Sequence, residues 1–263
     1  MEVSRMSDEE DLGLDRISYS KMKMMFNCPL RWKLKHIDKI LKPTSIALLY
    51  GKVIHEILAM RNRAEDVTDL QGCIVKRFQE NTKEQPLKET QQDEVADMID
   101  YGVEMLEMYF ATVPAPQTVD PSRVEQKVEV PYEHPNFGKF TLVGIIDYET
   151  EDHVLVEYKT SSKKWSDDRV KLQFQTLMYK RLKPENTGTV YHILIKRSHP
   201  DLQVLELPDI TEEGNIRLDY LIETYLKALD RHYFFPRRSF MCNMCDYPEE
   251  CKQICGDFMD LIL

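Results

Sequence analysis

Apolar positions recur at helical spacing through roughly the first 112 residues and at every second position from about residue 124, so the period of the chain changes once. Ser18 is placed to cap a helix through YSKMKMMFN, and Pro29 suits the first turn of a second, PLRWKLKHIDK. Thr44 or Ser45 caps a third through GKVIHEILAMRN, where Val53, Ile57 and Leu58 mark the apolar face. From about 66 to 112 the pattern stays helical, with Val95, Met98, Ile99, Val103 and Leu106 at helical spacing, until PAPQTVDPS breaks it. Residues 124–130, 140–148 and 153–158 then read as strands, the first two joined by the turn-rich HPNFGK. A helix over 170–182, a strand TVYHILIKR, a short strand over 203–207 and a long amphipathic helix over 218–233 complete the series. Helices, then a mixed sheet, then helices predict one α/β domain with helical decoration.

Composition narrows this picture. With 263 residues and 42% hydrophobic content, the chain has enough apolar surface for a core, and no apolar run approaches the ~20 residues of a membrane span. The opening MEVSRMSDEEDLGLD reads as a mobile acidic leader over 1–15, with no secretory signal or transit peptide, which predicts an intracellular, cytoplasmic protein. The formal charge of −10 argues against a polyanion partner. Locally the balance reverses: from Lys21 to Lys42 seven Lys or Arg face one acid, Asp38, a net +6. Arg31, Lys33 and Lys35 are the candidate phosphate contacts there, with Lys196, Arg197, Arg237 and Arg238 as possible extensions, while Trp32 and Phe26 read as core.

Six cysteines are unevenly placed. Cys73 fits a small buried hydrophobe, whereas Cys242, Cys245, Cys251 and Cys255 crowd into the last 22 residues. The spacing in CNMCDYPEEC is ligand spacing, and soft thiolates converging on one point select zinc or an iron–sulfur cluster.

The stretch GIIDYETEDHVLVEYKT carries the chemistry. Asp147 ends one strand, and Glu157 and Lys159, two apart on the next, share a face. Val154, Leu155 and Val156 mark that second strand as covered, where charges are costly to bury. An E-x-K tripeptide alone fits a structural ion pair. With Asp147 added, the set suits metal-assisted phosphodiester cleavage: carboxylates for Mg²⁺ or Mn²⁺ and an ammonium to orient water or offset developing charge.

Five ordered motifs over about 230 residues resemble a RecB-like nuclease of the PD-(D/E)XK superfamily, in the iron–sulfur branch with the CRISPR-associated RecB-like exonucleases and the AddB nuclease domain. These are ISYSKMKMMFNCPLRWKLKHI, GKVIHEIL, GIIDYE with VEYKT, QTLMY and CNMCDYPEEC. The resemblance implies a restriction-endonuclease-like central mixed sheet flanked by helices, one nuclease domain over 16–263, and a helical insertion over 66–112 for which no motif can be assigned. It places His55, Asp147 and Glu157 at the metal and Lys159 at the catalytic position, and Gln175 and Tyr179 as substrate-positioning residues. The metal carboxylate on the catalytic strand is Glu where Asp is commoner. Cys28, Cys242, Cys245 and Cys251 would hold a [4Fe–4S] cluster, with zinc as the alternative, joining the N- and C-terminal segments through 236–255. The implied activity is a metal-dependent DNA exonuclease preferring single-stranded ends, in recombination, repair, CRISPR adaptation or viral DNA metabolism. The alternative is a non-catalytic DNA-binding scaffold that keeps fold and cluster. A membrane is not expected among its partners.

Overall fold

The computed structural model describes residues 14–208 and 210–256; the acidic leader expected over 1–15 lies outside them except for Leu14 and Asp15. In chain order the elements are β1 (Arg16–Ser18), α1 (Tyr19–Asn27), α2 (Pro29–His36), α3 (Ile46–Asn62), α4 (Leu70–Glu84) and α5 (Val95–Thr112). They continue with β2 (Val124–His134), β3 (Gly138–Glu149), β4 (Val154–Ser161), α6 (Asp167–Lys171) and α7 (Gln175–Leu182). β5 (Gly188–Ile195), β6 (Asp201–Pro208), α8 (Glu212–Asp230) and α9 (Pro248–Cys255) close the series. The chain forms two compact units, one from 1–42, 129–144 and 211–263, the other from 43–128 and 145–210.

In the first unit Ser18 caps α1 as expected, its side chain accepting from Lys21 N, and Pro29 opens α2. The short β1 was not legible in the pattern: it pairs in parallel with Thr141–Val143 of β3 and buries Ile17 completely. Trp32 is core, stacked on Phe234 and edge-on to Tyr225 of α8.

In the second unit the end of β3 pairs antiparallel with β4, β4 runs parallel to β5, and β5 antiparallel to β6, a mixed sheet. A parallel pair buried on both faces explains the uninterrupted Val154–Val156 run. Alternation sends Val156, Tyr158 and Leu194 to one face, where they share a core with Ile54, Ile57 and Leu58 of α3. The 66–112 stretch joins that same core through Ile74, Phe78, Met105, Leu106 and Tyr109. The region without a motif is thus the layer that covers this face, and each such fully buried side chain contributes roughly 1.5–3 kcal/mol. On the other face Trp165 and Val170 pack against Tyr191, Ile193 and Ile195.

The helix expected over 170–182 is two helices. Ser166 caps α6 through Arg169 N, and the chain leaves helical geometry after Lys171 before α7 begins at Gln175. The break lets Val170 enter the Trp165 cluster while Gln175 and Tyr179, one turn apart, both turn inward.

Candidate functional site

A cleft of about 650 Å³ opens in the second unit, with His55, Glu125, Asp147, Lys159, Arg63 and Arg77 among its lining residues. Helix α3 brings His55 there because Gly51, one turn earlier, lets the helix approach β4: a Cβ at that glycine would lie 3.3 Å from Thr160 Oγ1. Strand β3 brings Asp147. Its Oδ2 accepts from Tyr158 N at 2.8 Å, and its Oδ1 lies 3.4 Å from His55 Nδ1.

Glu157 is 2% exposed and its carboxylate is fully engaged. Oε1 accepts from Lys159 Nζ and, at 2.8 Å, from Gln175 Nε2; Oε2 accepts from the Tyr179 hydroxyl at 2.5 Å. A buried carboxylate without such partners would cost several kcal/mol. Gln175 also donates to Tyr179 Oη at 2.8 Å, and its own Oε1 is buried with no hydrogen-bond partner among the described residues. The six residues expected at the site, His55, Asp147, Glu157, Lys159, Gln175 and Tyr179, therefore do come together.

A seventh residue was missed. His55, Glu125 and Asp147 each offer a ligand atom within 4.8 Å of the others, the one such group among the described residues. Glu125 sits on β2 with φ 51°, a left-handed backbone rare for a residue with a side chain. Such a kink re-aims a strand side chain, as bulges beside functional sites do. In sequence Glu125 is one of several glutamates on an alternating polar strand, and nothing singles it out.

Negative charge is in excess at this point. Burial, and then the Asp147 carboxylate, push the Glu125 carboxyl up to about 7, against the lowering influence of His55 and Arg63. Burial also raises Glu157, again with Asp147, while Lys159 and Tyr179 oppose. Burial disfavours a charged His55, yet Asp147 and then Glu157 outweigh it and the imidazole pKa rises. A half-buried acid with its pKa raised to about 7 beside the buried Asp147 carboxylate is a place where a cation is wanted. Oxygen and imidazole ligands suit a divalent ion.

A family model described as the PD-(D/E)XK nuclease superfamily matches residues 16–252. The chain belongs to that superfamily. The match runs through β3, β4 and α7, and so includes every residue of the cleft. No curated protein matches the chain. Among solved structures, an Eubacterium rectale protein provisionally named an exonuclease has 15% identity and a TM-score of 0.54, over 93% of this chain and 92% of its own. The structure of SSO0001 covers 91% of this chain and 86% of its own, at 11% identity and a TM-score of 0.48. The first of these likenesses supports the fold. PD-(D/E)XK nucleases use divalent metal ions, and the His55–Glu125–Asp147 group can hold one.

In this PD-(D/E)XK chain the cysteines lie in the first unit. Cys28, Cys245, Cys251 and Cys255 pack around Leu30, Leu34 and Tyr247. Backbone amides are aimed at three sulfurs: Arg237 N at Cys28 Sγ (3.5 Å), Ser239 N at Cys242 Sγ (3.4 Å) and Tyr247 N at Cys245 Sγ (3.5 Å). Burial raises the Cys245 thiol, and burial followed by Cys255 pushes Cys251 up to about 11.

The basic run is partly spent within its own unit. Arg31 pairs with Asp246 at 2.9 Å, Lys33 with Asp38 at 2.6 Å, and Lys42 with Glu250 at 2.5 Å. Lys35 is exposed. Of the suggested extensions, Lys196 lies over the rings of Tyr50 and Tyr101, Arg197 pairs with Asp201, and Arg237 donates to the Phe26 carbonyl at 2.6 Å. Among the described residues no helix is long and apolar enough to cross a membrane.

Proposed function

We propose that this chain is a metal-dependent deoxyribonuclease of the RecB-like, iron–sulfur branch, an exonuclease acting on single-stranded ends. The observation that carries the catalytic reading is the convergence of His55, Glu125, Asp147 and Lys159 on one cleft, with the buried Glu157 bonded to Lys159 behind it. His55, Asp147 and Glu125 would hold the ion, with Glu157 the further carboxylate that the resemblance assigns to it. A divalent ion there stabilises charge on the phosphate and acidifies water. Lys159 orients the attacking water and offsets the negative charge developing on the phosphate. Tyr179 and Gln175 hold the Glu157 carboxylate in place and set the substrate strand against it. Arg63 also lines the cleft wall, held there by its bond to the Val124 carbonyl at 3.3 Å.

Cys28, Cys242, Cys245 and Cys251 hold a [4Fe–4S] cluster in this reading, with zinc the other possibility. Their support is the spacing together with the backbone amides directed at the sulfurs of Cys28, Cys242 and Cys245. The strand-end preference, Arg31, Lys33 and Lys35 as DNA contacts, and a setting in recombination, repair, CRISPR adaptation or viral DNA metabolism rest on the resemblance.

Lys159→Ala tests the assignment. Glu157 keeps Gln175 and Tyr179 in that variant, so the site stays folded. It is expected to bind end-labelled DNA near wild-type strength while Mg²⁺- or Mn²⁺-dependent cleavage disappears. Cutting at the wild-type rate would make the assignment wrong.

A further inference from the structure

A second cavity, of about 550 Å³, lies in the first unit between the start of α2 and the segment that follows α8. Leu30, Lys33, His232, Tyr233, Phe235 and Ile254 are among its walls, and none of its lining residues is acidic. The segment reads RHYFFPRRSF over 231–240, three arginines and a histidine with no carboxylate. Its aromatic rings are unusually open: Tyr233 is 54%, Phe235 57% and Phe240 77% exposed. Large apolar rings left in water call for an explanation.

The segment is nevertheless held in place from behind. Phe234 stacks on the buried Trp32 with ring planes 6° apart, and the Phe235 carbonyl accepts from Leu30 N at 3.1 Å. Arg237 is tied to a neutral carbonyl, that of Phe26, so no carboxylate cancels its charge there. Rings fixed on a rigid backing lose little freedom when they stack, and cations between them suit phosphates.

We infer that this cavity is a binding site for single-stranded nucleic acid, separate in its residues from the carboxylate cleft. A base stacks on Tyr233 or Phe235, and Arg231 and Arg237 meet the flanking phosphates. Every base has a π-face, so such a site takes single strands irrespective of sequence, whereas a duplex keeps its bases stacked on one another. The inference rests on the nuclease reading for the class of ligand, and it supplies that reading with a reason to favour single strands.

Fluorescence anisotropy tests it, using the full chain with Lys159→Ala to prevent cleavage, fluorescent oligothymidylate, and a blunt duplex of equal length at fixed salt. The double variant Tyr233→Ala/Phe235→Ala is expected to weaken oligothymidylate binding about tenfold or more and duplex binding by less than about twofold. Phe235→Trp is expected to keep the affinity and to show indole fluorescence quenched by oligothymidylate. Alanine variants that bind oligothymidylate as the parent does, or that lose both ligands equally, would overturn the inference. If the unmodified chain still degrades DNA in that case, the nuclease reading survives. A chain that neither binds nor cuts DNA would remove both.

Discussion

The carboxylate cleft and the cysteine segment gather ligands by opposite means. In the cleft the protein alone completes the arrangement: Asp147 is anchored by a strand amide, and Glu157 has a donor on both oxygens. The sulfurs instead have backbone amides aimed at them and a small apolar cluster of Leu30, Leu34, Ile40 and Tyr247 around them. Hard ligands on a packed sheet can wait for an ion without one, because folding is already secured by the surrounding core. The cysteine segment is also tied to residues 26–42 directly, through Arg31–Asp246, Lys42–Glu250 and the Leu30 amide on the Phe235 carbonyl, and a metal or cluster on the thiols would add to those ties. If the proposed cluster or zinc is held there, the difference would separate an ion needed for chemistry from one needed for stability.

The largest effect expected from this contrast is on catalysis. Asp147→Asn preserves an oxygen for the Tyr158 amide but removes the charge shared with His55 and Glu125. Cleavage in Mg²⁺ or Mn²⁺ should fall by about 10³-fold, equivalent to several kcal/mol of lost charge stabilisation. The unfolding midpoint should stay within a few degrees. A variant retaining a tenth of wild-type activity would break the claim that this carboxylate serves an essential ion.

Cys28→Ser should reverse the pattern. If a cluster or zinc ion ties Cys28 to the C-terminal cysteines, losing one ligand should lower the midpoint of anaerobically purified protein by on the order of 10 °C. Iron, sulfide and zinc analysis of the same samples identifies the occupant. An unchanged midpoint with unchanged metal content would show that the thiols are simply packed side chains, and the comparison would fail on that side.

How far each region could be read in the sequence follows the same division. Alternation and the E-x-K spacing placed Asp147, Glu157 and Lys159 together because strands carry side-chain direction directly in their period. Glu125 escaped because its direction comes from one left-handed residue, which no periodicity records. The 66–112 helices were legible as helices, but their role was not: their partners Val156, Tyr158 and Leu194 are remote in sequence. The basic run shows the same limit. Composition registers seven cations, but only the fold shows Arg31 on Asp246 and Lys42 on Glu250, pairs more than two hundred residues apart.

The smallest effect expected concerns one half-buried histidine in each unit. Burial lowers His192 to about 4, and burial with the Lys21 and Lys35 charges lowers His36 to the same level. His192 packs against the Tyr109 hydroxyl at 2.7 Å, and His36 lies against the Trp32 ring. Both are neutral in the folded chain near pH 7. The unfolded chain takes up protons near 6.5, so each histidine contributes stability above that value that is lost as pH falls toward about 4. Salt separates the two cases. At 1 M ionic strength the Debye length is about 3 Å, so the lysine contribution at His36 is screened and its titration moves up by a few tenths of a pH unit. His192 has no charged group acting on it in the same way and should titrate where it did before. Imidazole NMR titrations in low and high salt read both shifts in one sample. Equal movement of the two rings would show that their environments are alike, and that the charge gathered around α2 does not reach the core of its unit.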